Sequence, residues 1–134
     1  MRKANNKTID LVEEPSVQYK FEKLEVWKVS LELSDLIYQI TEHLPPIENF
    51  NLKSQILRAV TSINLNIAEG SNYASSAEQK RFIKIAIHSH VEVIAALRII
   101  ERRNYFRNRD LLDRTGDLCA KLFRMLIAYD RSIK

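Results

Sequence analysis

The sequence predicts an all-α protein, an antiparallel up-and-down four-helix bundle, and three observations carry that reading. Apolar residues recur at three- and four-residue steps in four separate segments. The 134 residues include only two glycines and three prolines, too few turn formers for a sheet protein of this size. The stretches between the four segments are short, which favours successive helices packed in alternating directions. A chain that is 46% hydrophobic and 28% charged is globular, and this one is long enough to bury a single core.

Residues 1–20 show no period and read as a loosely held arm, leaving 21–134 as the helical domain. The first helical pattern begins near Phe21. Val26, Val29, Leu33, Leu36, Ile37, Ile40 and Leu44 form its stripe, and Pro45-Pro46 ends it. The second opens at Asn51, a suitable N-cap, and carries Leu52, Ile56, Ala59, Val60, Ile63 and Ile67. Gly70 is expected to close it in the left-handed conformation that helix ends favour. The third follows "SNYASSAEQ", capped by Ser75 or Ser76, with Ser75 and Glu78 spaced as a capping box. The fourth follows "RRNYFRNRD", capped by Asn108 or Asp110, and carries Leu111, Leu112, Leu118, Leu122, Met125, Leu126 and Tyr129.

The third pattern is apolar beyond one face. Ile83, Ile87 and Ile94 lie off the stripe set by Phe82, Ala86, Val93 and Leu97. A second apolar face on a short helical protein predicts self-association.

Charge is unevenly spread. The net charge is +4, yet the first helix is acidic, with Glu22, Glu25, Glu32, Asp35 and Glu42. Arg98, Arg102, Arg103, Arg107 and Arg109 cluster around the third connection, and Arg114 follows on the fourth helix. The arginine fork donates paired hydrogen bonds to phosphate, so these six are candidate nucleic-acid contacts. Tyr105 and Phe106 lie inside the cluster, where an aromatic ring can stack on an unpaired base. The plainer alternative is a solvated helix end whose cations complement the helix dipole.

A polar stripe runs beside the apolar one on the second helix: Gln55, Arg58, Ser62, Asn66 and Glu69. It reads as a structural clasp between helices, with Ser89 and Glu92 as the receiving side.

Catalytic patterns are missing. The chain has no phosphate-cradling glycine loop, no G-x-S-x-G elbow and no H-E-x-x-H metal motif, so neither enzyme nor cofactor nor metal is expected. His88 and His90 are two residues apart and point in different directions on a helix. Cys119 sits among Leu118 and Leu122 and reads as a buried, inert thiol. A single cysteine fits a reducing compartment, the charged N-terminal stretch does not look like a secretory signal, and no run reaches the roughly 18 apolar residues of a membrane span. A cytoplasmic protein is expected.

"FEKLEVWKVSLEL" (21–33), "NFNLKSQILRAVTSINLNIAEG" (49–70) and "RFIKIAIHSHVEV" (81–93) resemble the four-helix-bundle family of 23S rRNA intervening-sequence proteins. The pattern L-x-x-Q-I-x-R-A-x-x-S-I-x-x-N-I-A-E-G carries most of the likeness, which covers nearly everything after residue 20. The resemblance implies a ring-like homo-oligomer, most simply a pentamer. It also implies kinship with accessory proteins of diversity-generating retroelements, which bind nucleic acid and a reverse transcriptase. Two functions follow as expectations: a non-enzymatic, basic adaptor for RNA or DNA, or a structural protein-interaction module with no nucleic-acid role.

Overall fold

The computed structural model describes residues 18–73 and 75–134, so nearly all of the expected N-terminal arm lies outside the described residues. Four helices follow in order: α1 (Glu25–Thr41), α2 (Leu52–Ser71), α3 (Ser76–Arg102) and α4 (Arg109–Ser132). Single-turn 3-10 helices stand at Lys20–Lys23 and Pro46–Glu48, and there is no strand among the described residues. The most extensive packing is α2 on α3; α1 lies on α2, and α4 closes the bundle against both α1 and α3. Ile37, Ile63, Ile100 and Leu122 are wholly buried at its centre. Each such side chain contributes about 1.5–3 kcal/mol by leaving water.

Helix ends depart from the sequence reading in instructive ways. α1 stops at Thr41, before the prolines, and His43 and Leu44 donate their amides to carbonyls only three residues back. The residue before a proline avoids helical geometry, so the helix tightens and ends early. Asn51 does precede α2, but its side chain caps nothing. Glu48 takes that place: its Oε1 accepts from Leu52 N–H at 3.2 Å and from Asn51 Nδ2 at 3.0 Å. Ser75 caps α3 by accepting from Glu78 N–H, and Asn108 caps α4 by accepting from Leu111 N–H at 3.1 Å.

Gly70 does not end α2 in a left-handed conformation. The helix continues to Ser71, and neither glycine has a positive φ. The missing side chain at position 70 is instead the space that Ile83 of α3 fills. The left-handed residue is Asn104, with φ of 55°, which reverses the chain after α3.

The extra apolar face of α3 also needs correction. Ile83 is wholly buried, and Ile87 and Ile94 are half-buried against the core. A helix set between two neighbours buries a wider arc than a helix with one, and these residues serve that arc. The large apolar side chains that α3 leaves exposed are Ile85, Val91 and Ile99.

Candidate functional site

The basic cluster forms around the connection between α3 and α4. Arg102 ends α3, Arg103 caps it, and Asn104 turns the chain so that Arg107 follows on the return. The cluster is not uniform. Arg98 reaches Glu101 at 3.4 Å, while Arg109 reaches Glu101 at 3.1 Å and Asp113 at 3.5 Å. Arg102, Arg103 and Arg107 are exposed, with no carboxylate within 4 Å among the described residues. Arg114 faces elsewhere, lining a cleft between α1 and α4 with Glu32, Asp35 and Gln39.

The aromatic residues of the cluster turn inward. Phe106 is buried, its ring centroid 5.0 Å from that of His43, so it presents no face to a base. Tyr105 is half-buried against the core and its hydroxyl donates to Glu48 Oε2 at 2.8 Å. That bond ties the connection after α1 to the connection after α3. The Tyr105 hydrogen bond is the main cause holding the Glu48 carboxyl below its ordinary value of 4.5; the donors at Asn51 and Leu52 and the Arg103 charge add to it against burial. The same bond raises the Tyr105 phenol above its ordinary value of 10.0. On the tethered loop, Ile47 is 81% exposed and Phe50 98% exposed. Both fall outside the apolar periodicity, between Pro45-Pro46 and the start of α2.

The polar stripe of α2 divides into two parts. Ser62 Oγ accepts from Ser89 Oγ of α3 at 2.8 Å and from Asn66 Nδ2 at 3.0 Å, and Asn66 Nδ2 also donates to the Ser62 carbonyl at 2.8 Å. Arg58 instead bonds Ser54 at 2.9 Å on the surface. Gln55 and Glu92 line a groove between α2 and α3 with Ala95, Ile99 and Arg103, and Glu69 lines a separate cleft beside Tyr19 and Phe21. A second polar seam, between α1 and α2, has no counterpart in the sequence reading. Asn64 accepts from Ser34 Oγ at 2.8 Å and donates to Ser30 Oγ at 3.0 Å.

The model of the family described as 23S rRNA-intervening sequence protein matches residues 22–128. The chain belongs to this family. It is similar to a crystal structure described as a protein with unknown function from the S23 ribosomal protein family of Bacteroides thetaiotaomicron. The two share 26% identity with a TM-score of 0.70, over 78% of this chain and 97% of the other. No curated protein matches the chain.

Besides Glu48, the interior of this 23S rRNA-intervening sequence family member holds two titratable groups among the described residues, His90 and Cys119. His90 is wholly buried, its Nε2 lies 2.9 Å from the Cys119 carbonyl oxygen, and Nδ1 has no partner among the described residues. Burial pushes the imidazole below its ordinary value of 6.5. It also pushes the Cys119 thiol up to about 11, which leaves the thiol protonated and unreactive. His88 stays exposed, and no group of three His, Cys, Asp or Glu among the described residues is placed to hold a metal ion. No described helix is long and apolar enough to cross a membrane.

Proposed function

We propose that the protein is a non-catalytic cytoplasmic adaptor that binds RNA or DNA through the arginines at one end of an antiparallel helical bundle. The observation that supports it is the exposure of Arg102, Arg103 and Arg107 with no carboxylate within 4 Å among the described residues, beside Arg98 and Arg109, which do have ion-pair partners. An unpaired surface arginine gives up little to meet a phosphate; a paired one must first lose its partner. Lys80, near the start of α3, pairs with Asp130, near the end of α4, in keeping with antiparallel neighbours.

Assembly into a ring, most simply a homopentamer, belongs to the same proposal. Leu65 and Val91 are exposed apolar side chains that such contacts can cover. A ring repeats one modest basic patch around its circumference, and linked patches gain avidity without new contacts.

Exposed apolar side chains also favour a second reading, a protein-interaction module with no nucleic-acid role. Charge reversal separates the two. Arg102→Glu with Arg107→Glu should abolish binding to labelled RNA while leaving helix content and assembled mass unchanged. If the reversed protein binds RNA as well as the parent, the basic end is only a solvated surface.

A further inference from the structure

We propose that Phe50 is the base-stacking residue of this site and that the preferred ligand is single-stranded nucleic acid. The inference rests on the nucleic-acid reading above and sharpens it. Stacking needs an aromatic face in solvent beside a cationic track for the backbone. Tyr105 and Phe106 lie within the arginine cluster but turn inward, one held by Glu48 and the other buried beside His43. Phe50 is 98% exposed, and packing among the described residues gives no reason for it.

Its position supplies the reason. Glu48, two residues earlier, accepts the Tyr105 hydroxyl at 2.8 Å, fixing the Phe50 loop against the arginine-rich connection. Asn51 and Leu52, just after it, line one groove with Ile99 and Arg103. Arg102 and Arg103 line the adjoining hollow with Ile99. An aromatic ring and guanidinium groups with no carboxylate within 4 Å among the described residues thus share one end of the bundle. A duplex offers phosphates to such a surface but keeps its base faces stacked; a single strand offers both.

The test measures binding of fluorescein-labelled oligouridine, alone and paired with oligoadenine, to the full chain. Phe50→Ala should weaken single-strand binding about ten-fold and leave duplex binding and assembled mass unchanged. Phe50→Trp should retain the parent's affinity. If Phe50→Ala binds both forms like the parent while Arg102→Glu with Arg107→Glu loses both, the stacking role falls and the basic surface stands. If Phe50→Ala lowers the assembled mass, the ring is a contact between copies and the proposal is overturned. If the parent binds neither form, both readings fail together.

Discussion

Gly70 and Ile83 meet where α2 crosses α3: a Cβ built at position 70 would stand 2.9 Å from Ile83 Cδ1. It would also lie 3.3 Å from the Gln79 carbonyl oxygen, so backbone as well as side chain limits the space. Ile83 is wholly buried, so its tip can give way only by displacing packed neighbours. The other glycine, Gly116 in α4, has nothing within 4 Å of its built Cβ.

The two glycines should therefore respond with opposite signs to the same change. Alanine at a helix interior gains about 1 kcal/mol over glycine. At Gly116 that gain is unopposed, and Gly116→Ala should raise Tm by about 3 °C. At Gly70 overpacking costs about 1–3 kcal/mol and outweighs the gain, so Gly70→Ala should lower Tm. Ile83→Val in the Gly70→Ala background should recover part of the loss. Thermal unfolding of the parent and the three variants checks the sign at each site, and a rise in Tm for Gly70→Ala would refute the packing role.

How far the fold was legible in the sequence shows at this contact. Apolar period alone located all four helices, because it records which face leaves water. Period cannot say which neighbour a residue touches. Gly70 therefore looked like a helix end, and Ile83 looked like a spare face. The arginine cluster was legible as charge, but the ion pairs of Arg98 and Arg109 and the inward turn of Tyr105 depend on tertiary contacts. Glu48 and Phe50 lie in a loop, outside any period, and only their tertiary positions distinguish them.

The seam between α2 and α3 should contribute modestly. Asn66→Ala removes donors to Ser62 but leaves Ser89 bonded to it, so a loss of about 1 kcal/mol is expected. Ser62→Ala leaves the buried Ser89 hydroxyl without its acceptor, while Asn66 keeps its bond to the Ser62 carbonyl, and should cost more. Chemical denaturation of both variants tests the order. Equal losses would mean that Ser62 is not the shared acceptor.

Acid should destabilise the fold in two windows. The folded pKa of His90 is depressed, so the fold favours the neutral ring; its contribution is full above the unfolded value near 6.5 and is lost as pH falls below it. Glu48 is also depressed, and its contribution fades only below the unfolded value of 4.5. Unfolding midpoints between pH 7.5 and about 5 should decline in the parent and flatten in His90→Gln. A parallel decline in both proteins would assign the upper window to another group.

Cys119 should resist thiol reagents in the folded protein at pH 8, since its pKa is pushed up to about 11 and its side chain is buried. Denaturant should make it react at the rate of a free cysteine. Fast reaction in the native state would place the thiol at an opening the fold does not show.

The central claim, that Arg102, Arg103 and Arg107 meet phosphates, is tested most directly by the salt dependence of binding to single-stranded RNA. The logarithm of affinity should fall linearly with the logarithm of salt concentration, by about 0.7 units of slope for each phosphate contact. Arg102→Gln, Arg103→Gln and Arg107→Gln should each reduce that slope by about one contact, whatever the RNA sequence. Arg98→Gln and Arg109→Gln should change it less, because Glu101 and Asp113 already occupy those side chains. A slope near zero, or one unchanged by all three substitutions, would contradict the account.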